Sequence, residues 1–181
     1  LWFVVMARRH RTRLRAIPHL GRPDRSLMND GPRVAVLVPA RNEATSIEAS
    51  IRSLMRQSFP RLRVIVANDR STDGTRRILQ RLAREFAATD RLVVIDVPCD
   101  PPDGWMGKCH ALWHAAQQLR ADEELLLFAD ADIVHRRHTI AGAVADMARH
   151  RVDLLAIFPR VDCKSFWESV LLPVLVSIGL T

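Results

Sequence analysis

Two sequence periodicities alternate along the chain, and that alternation limits the fold more than any other feature. Val34–Pro39, Leu62–Ala67, Leu92–Val97, Leu125–Ala129 and Val152–Phe158 are short, continuous apolar runs rich in Val, Ile and Leu. Between them the apolar residues recur at helical spacing. Ala44–Gln57 carries Ile47, Ile51, Leu54 and Met55, and Thr75–Ala87 carries Ile78, Leu79, Leu82 and Phe86. Lys108–Leu119 and Thr139–His150 also read as helices. Continuous apolar runs suit strands buried on both faces, whereas strict alternation would mark a half-exposed sheet. Strand–helix–strand repeated four times means crossover connections. The expected class is α/β, a mostly parallel sheet of five strands with helices on both faces.

Length and charge narrow the possibilities. A chain of 181 residues has room for one ordinary domain, and 48% apolar with 26% charged residues excludes a disordered polymer. The net charge of +7 is local. Residues 1–33 hold eight arginines against two aspartates, whereas the remaining 19 basic and 18 acidic residues nearly cancel. No aromatic residues interleave with those arginines, so nucleic acid is not an expected partner. Leu1–Ala7 is apolar and is followed by Arg8, Arg9, Arg11, Arg13 and Arg15. That order marks the cytoplasmic end of a membrane anchor, the other reading being a disordered basic arm; residues 1–33 are expected to be an anchor stub and basic linker at the inner membrane. The folded domain, expected over 34–164, would then face the cytoplasm. Residues 165–181, apolar but interrupted by Pro173, are expected to form a membrane-interface helix, with the chain cut at both ends. The three cysteines, Cys99, Cys109 and Cys163, include no C-x-x-C pair, which argues against a disulfide framework or zinc ribbon and for reduced thiols.

In a doubly wound sheet, ligands lie beyond the carboxyl ends of the strands. The residues found there are Arg41, Asn42 and Glu43 after the first strand, and Asn68, Asp69 and Asp73 after the second. The Pro-rich segment 98–105 follows the third, and Asp130 and Asp132 follow the fourth. Carboxylates at one rim repel unless a cation or hydrogen-bond donors join them. Hard oxygen ligands suit Mg²⁺ or Mn²⁺, and the D-x-D of Asp130 and Asp132 can share such an ion and a sugar hydroxyl. Asp69 can accept from a uracil imide or a ribose hydroxyl. Glu43 either binds a ribose or complements a helix dipole, while Pro39 closes its strand, Asn42 is a candidate helix cap and Thr72 or Asp73 another. Asp103-Gly104-Trp105-Met106-Gly107-Lys108 opens the third crossover helix, and a helix N-terminus with Lys108 suits a diphosphate. His110 and His114 share a helix face at zinc-binding spacing but lack the Glu of H-E-x-x-H, so they read as surface or packing residues. His135 reads likewise. Neither G-x-S-x-G nor G-x-G-x-x-G is present.

Taken in order, V-P-A-R-N-E, N-D-R-S-T-D-G-T, G-W-M-G-K and F-A-D-A-D resemble glycosyltransferase family 2 over about residues 34–165. P-D-G-W-M-G-K-C-H-A-L and S-F-W-E-S-V-L-L-P are similar to the membrane-associated branch that includes hopanoid-associated and carotenoid glycosyltransferases. The resemblance implies a GT-A fold, Rossmann-like and incomplete on its C-terminal side. It also implies inverting transfer from a nucleotide-sugar, commonly a UDP-sugar, to a lipid or polysaccharide acceptor at the membrane. By the same resemblance, Pro39, Arg41, Glu43 and Asp69 belong to the donor site, Lys108 lies by the diphosphate, Asp130 contacts ribose or sugar, and Asp132 binds Mg²⁺ or Mn²⁺. The catalytic base is expected beyond Thr181. Two other readings remain. Asp130-Ala131-Asp132-Ile133-Val134 fits the nucleophile motif of a haloacid-dehalogenase-type phosphatase, although three strands precede it. A non-catalytic, membrane-tethered nucleotide-binding module is the other.

Overall fold

The computed structural model describes residues 30–157, together with Leu20 and Met28. The proposed anchor stub, the apolar C-terminal segment and Phe158 of the last expected strand lie outside these residues, Leu20, Met28 and 30–33 apart. The described residues through Leu155 belong to one compact unit, and Ala156 and Ile157 to a second. In chain order the elements are β1 (Val34–Ala40), α1 (Ile47–Met55), β2 (Leu62–Asn68), α2 (Thr75–Glu85), a 3₁₀ turn (Ala87–Thr89), β3 (Leu92–Asp96), α3 (Gly107–Ala116), β4 (Leu125–Phe128) and α4 (Thr139–His150).

The four strands form one sheet in the order β3-β2-β1-β4, and every pairing is parallel. Side chains alternate across a strand, so β1 divides its apolar residues between two cores. Val34, Val36, Val38 and Ala40 join Ile47, Ile51 and Leu54 of α1, Leu79 and Leu82 of α2, and Ile140, Ala141 and Val144 of α4. Ala35 and Leu37 join Ile65, Ala67, Val97 and, from α3, Ala111 and Ala115. Three helices therefore cover one face and α3 covers the other. Arg63 and Glu123, both largely withdrawn from solvent, form an ion pair, and Arg63 also donates to the Gln118 carbonyl, tying β2 to the segment that enters β4.

Three sequence expectations need correction. Residues 152–157 form no strand. Left-handed Arg151 ends α4, and Val152 and Leu154 are exposed. An apolar run supplies a face but no ladder partner, and none of the four strands pairs with this one. β4 is not covered on both faces: Leu126 and Phe128 are 46% and 61% exposed, because α3 packs over β1 and β2. Pro39 does not close β1, which continues through Ala40. In parallel pairing, alternate residues bond to opposite neighbours. The Ala40 carbonyl accepts from Asp69 on the β2 side and the Leu37 carbonyl accepts from Ala129 on the β4 side. The donor missing from Pro39 therefore falls on the β4 side, past the last β1–β4 pair, Leu37 and Phe128.

This one-sided coverage has a measurable consequence. Ile65→Ala, in the α3-side core, should cost roughly 2–5 kcal/mol in urea denaturation. Leu126→Ala, on the same sheet face of β4, should stay within about 0.5 kcal/mol of the parent chain.

Candidate functional site

Parallel pairing brings the carboxyl ends of β1, β2 and β4 to one rim, and the loops after β1 and β2 are bonded to each other. Asn42 adopts left-handed backbone (φ 56°). Its N–H donates to Ser71 Oγ at 3.0 Å, and its side-chain oxygen accepts from the Thr72 N–H at 2.8 Å. The Glu43 N–H donates to Thr75 Oγ1 at 2.8 Å. Asp73 accepts from the Ala44 N–H at 3.1 Å through one oxygen, and from the Thr75 N–H and hydroxyl at 2.9 and 2.6 Å through the other. Asn42 is thus a bridge between loops and not a cap for α1. Gly74 takes the N-cap position of α2, and Asp73 just before it accepts from the first residue of the helix and bridges the two loops. These bonds, above all those from Thr75, hold the Asp73 carboxyl below its ordinary value of 3.8.

Asp69 is 3% exposed, immediately after β2. Its Oδ1 accepts from Arg70 Nε at 2.8 Å, and its Oδ2 lies 3.6 Å from an Arg41 guanidinium nitrogen. Arg70 also pairs with Asp100 in the segment after β3. The first residue of α3, Gly107, sits directly against this carboxylate. A Cβ there would stand 3.3 Å from Asp69 Oδ2 and 3.8 Å from the Arg41 guanidinium. The next residue, Lys108, pairs with Asp130 beyond β4. The N-terminus of α3 therefore reaches from the end of β2 to the end of β4, across the end of the intervening β1.

The structure thus brings Arg41, Asp69, Lys108 and Asp130 together around one helix start. Pro39 lies one residue from the end of β1. The half-buried Glu43 turns its carboxylate to the Ser46 hydroxyl at 2.6 Å, while its carbonyl accepts from the Ser46 and Ile47 N–H groups at the entrance to α1. Asp132 is exposed and makes no ion pair among the described residues. His135 donates its backbone N–H to Ser53 Oγ and lies against α1, and burial pushes its imidazole below the ordinary value of 6.5. His110 and His114 pack with Trp105 and Trp113. Sequence reasoning missed Arg70, one arginine among 25, and the close approach of Gly107 to Asp69.

The sequence model of glycosyl transferase family 2 matches residues 35–172. The chain belongs to that family. The 4,4'-diaponeurosporenoate glycosyltransferase of Staphylococcus aureus (strain USA300) is 32% identical over 137 residues, covering 75% of this chain and 34% of that protein. The chain thus spans about a third of the length of the curated relatives it matches. Among solved structures, the mannosyltransferase PcManGT of Pyrobaculum calidifontis, in complex with GDP-Man and Mn²⁺, superposes with a TM-score of 0.57 at 32% identity. The match covers 70% of this chain and 34% of the mannosyltransferase. TarS 1–349 of S. aureus superposes with a TM-score of 0.53 at 26% identity, over 74% and 39% of the two chains. The parallel sheet with its flanking helices is therefore the GT-A arrangement of family 2, and nothing in it supports the phosphatase reading.

The Asp73 bonds set a direction with pH. A carboxyl whose folded value is depressed contributes stability above its unfolded value, near 3.8, and loses it as pH falls through the lower folded value. Thermal unfolding of Asp73→Asn should therefore show a lower midpoint than the parent at neutral pH and a flatter decline below about pH 4.

Proposed function

We propose that this chain is the donor-binding part of an inverting glycosyltransferase. It moves a sugar from a nucleotide-sugar, a UDP-sugar by preference, to a lipid or polysaccharide acceptor at the cytoplasmic face of the inner membrane. The observation that carries this is the buried Asp69 carboxylate, held between Arg70 and Arg41 and capped by the start of α3, with the Lys108–Asp130 pair alongside.

Each residue has a role in that reading. Asp69 and Glu43 accept hydrogen bonds from the nucleoside, since a carboxylate oxygen already bonded to one donor keeps a lone pair for another. Pro39 and Arg41 shape the same end of the site. Lys108 and the N–H groups at the start of α3 face the diphosphate, where helix dipole and ammonium both favour negative charge. Asp130 accepts from a ribose or sugar hydroxyl. Asp132 suits a hard divalent cation such as Mg²⁺ or Mn²⁺, which binds through one or two carboxylates and completes its shell with phosphates and water. That ion, when bound, neutralises charge on the leaving diphosphate. The Mn²⁺ and GDP-Man held by the archaeal mannosyltransferase support the metal and the donor class. The name of the staphylococcal relative supports a lipid acceptor. The apolar Leu1–Ala7 followed by arginines supports the membrane and its cytoplasmic face.

Calorimetric titration with UDP, UDP-sugars and GDP-mannose, with and without Mn²⁺, tests the site. Nucleotide binding should require Mn²⁺, and Asp132→Ala should abolish that requirement together with most of the affinity. Asp69→Asn should weaken binding by at least about tenfold, the loss expected for one charged hydrogen bond. Binding of none of these nucleotides, or metal-dependent binding left intact by Asp132→Ala, would contradict the assignment.

A further inference from the structure

A second donor set lies behind the diphosphate-facing end of α3, and it is chemically unlike the rim. Cys99, in the segment after β3, and His110 and His114, one turn apart on α3, place one donor atom each within 4.8 Å of one another. Among the described residues this is the one group of three His, Cys, Asp or Glu donors so arranged. The two Nε2 atoms are 3.2 Å apart. Two imidazole nitrogens bound tetrahedrally to one Zn²⁺ stand about 3.3–3.4 Å apart, given bonds near 2.0–2.1 Å. A thiolate in the same shell would sit about 3.5–3.6 Å from each nitrogen. The side chain of Cys99 is exposed and its thiol is free.

The surroundings suit such an ion. The Trp113 ring stacks on His110 with an interplanar angle of 5°, and Trp105 and Trp113 present edges to His110 and His114 respectively. Both tryptophans are part-exposed, and their rings pack beside the two imidazoles. His110 is buried, and its Nε2 faces that of the half-buried His114. Without an ion, the short Nε2–Nε2 approach requires one shared proton; with one, both lone pairs converge on the cation.

We propose that Cys99, His110 and His114 form a Zn²⁺ site of the N₂S type with a fourth position open to water. Thiolate and imidazole are the borderline-soft ligands that Zn²⁺ prefers, in contrast to the oxygen ligands of Asp130 and Asp132. On binding, Cys99 Sγ gives up its proton to solvent and forms a Zn–S bond, while the proton between the imidazoles moves to an Nδ1 by exchange with solvent. The ion joins the segment after β3 to α3. That segment includes Asp100, which pairs with Arg70 and through it reaches Asp69. Bound Zn²⁺ therefore orders the lip running from Cys99 to Lys108. The site is independent of the proposed donor chemistry and stands or falls separately.

The test uses the full chain with Zn²⁺ in competition with a chromophoric chelator, and Co²⁺ as an absorbing substitute. One equivalent of Zn²⁺ should bind, and Co²⁺ should give a thiolate-to-metal charge-transfer band. Cys99→Ser should abolish the band, and Cys99→Ser and His114→Gln should each weaken Zn²⁺ binding by more than about tenfold, because even the loss of a supporting group commonly costs that much. Cys109→Ser, which removes the neighbouring thiol, should leave band and affinity unchanged. Amide exchange over 98–106 should slow on addition of Zn²⁺ to the parent and not to Cys99→Ser, with circular dichroism confirming that the variant is folded. A band that survives Cys99→Ser, or equal Zn²⁺ affinity in the parent and the Cys99→Ser/His114→Gln double variant, would overturn the proposal.

Discussion

β1 is hydrogen-bonded in parallel on both edges, to β2 through seven residue pairs and to β4 through four. That double pairing is the constraint on which the rim depends. It sets the ends of β2, β1 and β4 side by side and carries the chain out of each in the same direction. Arg41, Asp69 and Asp130 become neighbours of one helix start for that reason, although they are far apart in sequence. The cores on the two sheet faces hold β1 in place through alternate residues, so a change of register by one would exchange the two cores.

At the rim the balance shifts from apolar burial to polar bonding. Burying a lone carboxylate costs several kcal/mol, an expense offset only by close charged partners and hydrogen bonds. Asp69 has two arginines, one of them anchored again by Asp100. The β1–α1 and β2–α2 loops are joined through Asn42, Ser71, Thr72, Asp73 and Thr75. The loops are thereby held before any ligand arrives, and preorganisation of this kind reduces the ordering cost of binding. The surface ion pairs between α1 and α2, such as Arg52 with Glu85, are part-exposed and contribute little by comparison.

Much of this was legible in the sequence because continuous apolar runs and helical spacing are local signals. Four strands, four helices and the strand-end carboxylates all stand where periodicity placed them, within a few residues. The failures share a cause: they depend on partners distant in sequence. The run 152–157 has the composition of a strand but no ladder to join. Leu126 and Phe128 look like buried residues, yet α3 does not reach over them. Arg70 was hidden in an arginine-rich background, and only the fold shows it bonded to Asp69 and Asp100. His110 and His114 were visible as a pair, while Cys99, eleven residues before the first of them, joins only when the segment after β3 folds back on α3.

The central claim is that the rim formed by β1, β2 and β4 with the start of α3 is where a nucleotide diphosphate binds. Amide hydrogen exchange, followed by mass spectrometry with and without UDP or GDP in the presence of Mn²⁺, reads this most directly. Slower exchange is predicted in residues 40–46, 68–74, 104–110 and 129–133, with the amino ends of the strands unchanged. Protection confined to the opposite ends of the strands, or no protection at saturating nucleotide, would contradict the account.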